Sequence, residues 1–125
     1  MTATILVVND EPGALTLFQI VLQRAGYQTL KAKDGLEAFE VAKAQVPDLV
    51  VSDTIMLGAH GRKLLQMLRT EPTTSHIPFI LVAVGGAWHL ETDAEYIEDL
   101  LLTVPFDLPE LAKHVQMLLA EKGIQ

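Results

Sequence analysis

Three residues near the ends of two apolar runs could share one piece of chemistry. Asn9 and Asp10 follow Ile5-Leu6-Val7-Val8, and Asp53 follows Leu49-Val50-Val51-Ser52. If these runs are neighbouring strands, two carboxylates and one carboxamide meet in a single crevice. Such a set suits a hard divalent cation, because Mg²⁺ accepts one or two carboxylates and keeps several waters. A carboxylate so placed is also a nucleophile toward phosphorus. The same residues serve equally well as helix caps or solvated loop ends, so spacing alone leaves both readings open. Other chemistries are excluded outright. The chain has no cysteine, hence no disulfide, thiolate zinc site or cysteine nucleophile. His76, His89 and His114 have no partners at metal-ligand spacing and read as surface residues, while His60 could ligate a metal or touch a phosphoryl group but reads first as a solvated loop residue.

The crevice needs a scaffold, and composition sets its scale. The chain has 125 residues, 50% apolar and 20% charged, enough for one domain that buries roughly two-thirds of its unfolded surface. We expect a single domain over residues 1–125, with no repeat, linker or low-complexity tract. The longest apolar run, Phe79 to Trp88, is broken by Gly85-Gly86 and falls short of the roughly 20 residues of a membrane span. No basic residue precedes the first apolar stretch, so a secretory leader is not expected and a cytoplasmic location is.

Charge is uneven. The formal net charge is −7. Residues 1–69 hold seven basic and seven acidic residues, whereas residues 70–112 hold eight acids and no Lys or Arg. Nucleic acid and anionic membrane are poor partners for such a surface, since phosphate binding needs Lys and Arg. Glu91, Asp93, Glu95, Glu98 and Asp99 predict a face of one sign. It should resist charge-paired self-association, leaving a monomer or weak dimer, and should take a basic partner or one that binds the apolar residues Leu100–Leu102.

The elements alternate. Ile5–Val8 reads as a strand buried on both faces. Pro12 to Ala25 reads as a helix, with Leu15, Phe18 and Leu22 on one side, Pro12 in the first turn and Gly26 at the end. Tyr27 to Ala32 is a weaker strand. Asp34 and Glu37 form a capping box for a helix that ends before Pro47. Leu49–Ser52, Phe79–Val84 and Leu100–Leu102 are three further strands. Helices are expected from Gly61 to Arg69, briefly over Thr92–Glu95, and after the capping box of Asp107 and Glu110, with Leu111, Val115 and Leu118 facing inward. Five strands alternating with five helices predict a parallel sheet covered on both faces. Sites in such folds lie beyond the carboxyl ends of the strands, where Asn9-Asp10, Asp53, Ala83-Val84 and Val104-Pro105 fall.

Several segments together resemble one family. Ile5-Leu6-Val7-Val8-Asn9-Asp10-Glu11-Pro12 looks like the opening of receiver domains of two-component response regulators. Pro47-Asp48-Leu49-Val50-Val51-Ser52-Asp53-Thr54-Ile55-Met56-Leu57-Gly58 looks like their phosphoacceptor segment. His76-Ile77-Pro78-Phe79-Ile80-Leu81-Val82 resembles their run into the fourth strand, and Val104-Pro105-Phe106-Asp107 the segment after the fifth. The resemblance implies a flavodoxin-like, doubly wound (βα)5 fold with a five-stranded parallel sheet in the order 2-1-3-4-5. It implies a signalling module rather than an enzyme, with a histidine kinase or other signalling protein as partner. A phosphoryl group would pass to Asp53 with Mg²⁺ held by Asp10, Asp53 and the backbone carbonyl of Ile55, and by Asn9 through water.

The departures from the pattern are as informative as the matches. The first acid of the family is Asn9 here, its hydroxyl residue at the end of strand four is Ala83, and its lysine is Val104. Its switch aromatic falls on Leu101, its usual loop proline on Leu57, and a frequent loop acid on His60. Phosphoryl transfer is carried by positioning and charge stabilisation. Losing one donor aimed at a developing oxyanion costs about 2.7–4 kcal/mol. Losing two therefore slows transfer by roughly 10³–10⁵ if the effects are partly additive. The expectation is a degenerate receiver that signals by protein contact, with weak or absent Mg²⁺ binding and little phosphorylation. The alternative is a working receiver with an atypical site. A third reading, a small flavodoxin-like ligand-binding or enzymatic domain, is weakened because no phosphate-cradling glycine loop follows the first strand.

Overall fold

The computed structural model describes residues 2–53, 61–83, 98–103 and 107–123. In chain order the elements are β1 (Thr4–Val8), α1 (Pro12–Arg24), β2 (Gln28–Ala32), α2 (Gly35–Gln45), β3 (Leu49–Asp53), α3 (Gly61–Thr70), β4 (Phe79–Ala83), β5 (Leu100–Thr103) and α4 (Leu108–Glu121). The strands form one sheet in the order β2-β1-β3-β4-β5, and every neighbouring pair is parallel. This is the sheet the sequence predicts. The short helix expected over Thr92–Glu95 lies outside the described residues.

The apolar runs explain the layering. Successive strand side chains point to opposite faces, so a run without polar gaps must be covered twice. Ile5 and Val7 join Leu49, Val51, Ile80 and Val82 in one core with Leu15 and Leu22 of α1 and Leu111, Val115 and Leu118 of α4. Leu6, Val8, Val50, Phe79 and Leu81 form the other, with Ala38 and Ala42 of α2 and Leu64, Leu65 and Leu68 of α3. The leucine-rich stretch of α3 is thus core.

The helix ends follow local chemistry, with two surprises. Asp34 caps α2 by accepting the Glu37 N–H at 2.7 Å, while the Glu37 carboxylate reaches back to the Lys33 N–H at 3.4 Å. After α1, Gly26 takes φ +101°. The Gly26 and Tyr27 N–H groups then donate to the carbonyls of Gln23 and Leu22, a Schellman closure that glycine makes without steric cost. Asp107 occupies the cap position of α4 but makes no side-chain cap bond, so that half of the expected capping box is absent. Val46, just before Pro47, closes α2 at φ 43°. A β-branched residue is strained there, and Pro47 after it disfavours carrying the helix further.

Candidate functional site at the carboxyl edge of the sheet

The edge is built by strand register. Val8 of β1 pairs with Ser52 of β3, so the next residues, Asn9 and Asp53, stand side by side. On the other side of β3, Asp53 pairs with Val82 of β4. Ala83 is one residue beyond it and pairs with Thr103 of β5. The structure therefore brings Asn9, Asp53 and Ala83 to one rim on three adjacent strands. Asp10 follows on the exposed turn into α1. Ile55, Leu57, His60, Trp88, His89, Val104 and Pro105 lie outside the described residues.

The turn after β1 divides its polar groups between structure and solvent. Asn9 is only 7% exposed. Its N–H donates to the Ala32 carbonyl at 3.1 Å, which extends the β1–β2 ladder by one rung. Its Oδ1 accepts the Glu11 N–H at 2.9 Å, an Asx turn that bends the chain into α1. Glu11 then caps the helix, its carboxylate accepting the N–H groups of Gly13 at 3.1 Å and Ala14 at 2.6 Å. Its negative charge also suits the positive end of the helix dipole. Both acids of this turn, Asp10 and Glu11, are exposed, and Glu11 is committed to the cap.

Asp53 is half-buried at the end of β3. Its main-chain carbonyl is a crowded point. The buried Ser52 hydroxyl donates to it at 2.9 Å, and Gly61, the first residue of α3, packs directly on it. A Cβ at residue 61 would overlap the Asp53 carbonyl oxygen and approach Leu81 Cδ1 to 2.6 Å. Neither Ser52 nor Gly61 stands out as a site residue in the sequence. A glycine opening a helix shortly after the strand-end acid was the available signal for the second.

The family model for the response regulator receiver domain matches residues 5–116. The chain belongs to the receiver domain family of response regulators. This receiver is 26% identical to the polar-differentiation response regulator DivK of Brucella ovis over 125 residues, spanning 97% of this chain and 99% of that protein. It is 33% identical over 116 residues to the DNA-binding dual master transcriptional regulator RpaA of Synechocystis, spanning 92% of this chain and 48% of that protein. Among solved structures, it is similar to the signal receiver domain of a signal transduction histidine kinase from Syntrophus aciditrophicus. That match has a TM-score of 0.88 and 30% identity, over 96% of this chain and 92% of that one. The chain is thus a receiver domain of two-component signalling, a signalling module of α/β flavodoxin-like fold. No described helix is long and apolar enough to cross a membrane.

The acidic stretch before β5 corrects the charge reading. Glu98 pairs with Arg62 at 3.1 Å. Asp99 pairs with Arg69 at 2.9 Å and Lys122 at 3.4 Å. Two of the five acids expected to form a face of one sign are therefore answered internally, by arginines far away in sequence. Glu91, Asp93 and Glu95 lie outside the described residues. Leu102 is 7% exposed and Leu100 packs on the core, so neither of these residues offers the open apolar surface expected of Leu100–Leu102.

Proposed function

We propose that this receiver is degenerate: it transmits by protein contact, and phosphorylation at Asp53 contributes little. The observation that carries this reading is the residue at the tip of β4. Ala83 follows Val82, the ladder partner of Asp53, and offers no hydroxyl to a group on the Asp53 carboxylate. The sequence adds Val104 where the family carries a lysine. A phosphoryl group on Asp53 would then lack two of the donors that receivers supply, and transfer depends on such charge stabilisation. The partner is a histidine kinase or another signalling protein, and a cytoplasmic location suits that role.

Mg²⁺ fits this edge only weakly. Asp10 and Asp53 would provide the one or two carboxylates that the ion requires, and the Ile55 carbonyl, the third donor that the family resemblance implies, lies outside the described residues. Asn9 is uncharged, and its Oδ1 already accepts the Glu11 N–H, so it reaches the ion at most through water. When bound, Mg²⁺ would supply positive charge against an incoming phosphoryl group. Asp53 is the residue that would accept that group, and Asp10 would orient the cation beside it.

The test is a titration with Mg²⁺ and then with beryllofluoride, a phosphoryl mimic, followed through the amide resonances of Asp53 and Ala83. We expect shifts that do not saturate with Mg²⁺, and no slow-exchange bound form with beryllofluoride. Saturable, tight Mg²⁺ binding that is lost in Asp10→Ala, followed by a stable beryllofluoride complex, would support a working receiver instead.

A further inference from the structure

Among the described residues the large apolar side chains left exposed are Leu17, Ile20, Leu36, Val46 and Met117. Singly exposed apolar residues are ordinary. Leu17 and Ile20 differ, because they lie one turn apart on α1 and are 44% and 40% exposed. With Gly13 and Arg24, both exposed, they form one stripe at the helical spacing of three and four residues. The stripe faces away from the core, where Leu15 and Leu22 of the same helix are buried. Nothing charged interrupts it. Residues 12–23 contain no acidic or basic residue, whereas the solvent face of a surface helix is ordinarily charged or polar.

The stripe carries opposite charges at its two ends. Glu11 stands at the start, and its carboxylate rests against Gly13, where a Cβ would come within 3.1 Å of Oε2. Arg24 stands at the other end, exposed and in no ion pair among the described residues. At 1.5 Å per residue these ends are about 20 Å apart, so the two charges cannot meet within one chain. They meet across a two-fold axis. Laid antiparallel on a second copy, with the axis between Leu17 and Ile20, the stripe sets Leu17 against Ile20 of the second copy and Gly13 against Arg24 of the second copy. Gly13 has no side chain to keep that guanidinium from the Glu11 carboxylate. The carboxylate accepts the Gly13 and Ala14 N–H groups through different oxygens, and each oxygen keeps a further lone pair for a donor.

We propose that the outward stripe of α1 is a homodimer interface whose partner is a second copy of this chain. It is isologous, one patch serving as its own complement. Two Leu17–Ile20 contacts make its apolar centre, and two Glu11–Arg24 pairs close its rim. A single helix crossing is small, below the roughly 1,200 Å² of a standard interface, so the dimer is weak, with a Kd on the order of 100 µM. The interface uses neither Asp53 nor residues 98–103, and it stands whether or not phosphorylation matters to this receiver.

Sedimentation equilibrium on the full chain tests this. Wild type should follow a monomer–dimer equilibrium. Leu17→Glu should weaken it by about tenfold or more, because the substitution enters a two-fold interface twice. Arg24→Glu changes an exposed residue and should also weaken it, which keeps the test decisive if Leu17→Glu does not fold. Leu36→Glu, on the opposite face of the sheet, should leave the Kd unchanged. Orientation is read separately. The chain has no cysteine, so a nitroxide on Ala25→Cys marks a single site. Mixed with isotope-labelled wild type, it should broaden the amides of Gly13 and Ala14 more than those of Arg24 and Gly26. A chain that stays monomeric up to roughly 1 mM, ten times the expected Kd, would leave the stripe to a different protein and overturn the proposal. A dimer that Leu17→Glu and Arg24→Glu leave intact, or broadening strongest at Arg24, would overturn it as well.

Discussion

The double substitution Val104→Lys with Ala83→Thr is expected to speed labelling of Asp53 by a small acyl phosphate about 10³- to 10⁵-fold. The argument is electrostatic. The transferred group spreads its charge over three oxygens, and catalysis in such sites is mostly a matter of placing positive charge and donors around them. Ala83 stands at the tip of β4, the strand beside the one that carries Asp53, and Ala83→Thr adds a hydroxyl at that edge of the sheet. The lysine at 104 adds the missing cation. Each single substitution should recover part of the rate, with the pair giving less than the product if the two donors share one oxygen. The measurement is the rate of mass gain at matched donor and Mg²⁺ concentrations. A double variant no faster than wild type would move the defect away from these two positions, with Asn9 the next suspect.

Gly61→Ala is expected to destabilise the protein by about 3 kcal/mol, at the upper end of overpacking costs. The added methyl meets a main-chain carbonyl, that of Asp53, and the Leu81 methyl at 2.6 Å. Leu81 is fully buried and cannot swing aside, and the carbonyl belongs to a strand paired on both sides. The helix must therefore back away from β3, which also opens the core around Leu64 and Leu65. Urea unfolding reads this as a lower midpoint at unchanged slope. An unchanged midpoint would show that α3 shifts freely, and the close seating of α3 on β3 would lose its meaning. Gly61→Ser should behave alike.

The sheet was legible because its signal is redundant. Ile5–Val8 and Leu49–Val51 contain no polar residue, and only a strand covered on both faces buries such a run completely, as these are buried. Once β1 and β3 were neighbours, the meeting of Asn9 and Asp53 followed from register. Details that depend on a single oxygen were less legible. Asp34 caps α2 as its type predicts, but Asp107 makes no cap bond, and α1 is capped by Glu11, a residue type not favoured for the task. The long Glu11 side chain succeeds because the Asx turn at Asn9 folds the chain back toward the helix end.

Charge was the least legible feature, for a physical reason. Counting acids along residues 70–112 treats neighbours in sequence as neighbours in space. Glu98 and Asp99 find their partners 36 and 30 residues away on α3, a distance along the chain that no local pattern records. Side chains that look like a solvated acidic face can be largely buried ion pairs once a parallel crossover lays a basic helix beside them. The same limit hid Ser52 and Gly61. Their contacts with the Asp53 carbonyl depend on where the chain returns after β3, and residue type alone does not specify that.

The central claim, that this receiver relies little on phosphorylation of Asp53, is tested most directly by intact mass. The wild-type chain is incubated with a small acyl phosphate and Mg²⁺, quenched over a time course and weighed. The account predicts a chain that stays almost wholly unmodified while a receiver carrying the lysine and hydroxyl, run in parallel, is labelled. Rapid gain of one phosphoryl group per chain, abolished by Asp53→Asn, would contradict it.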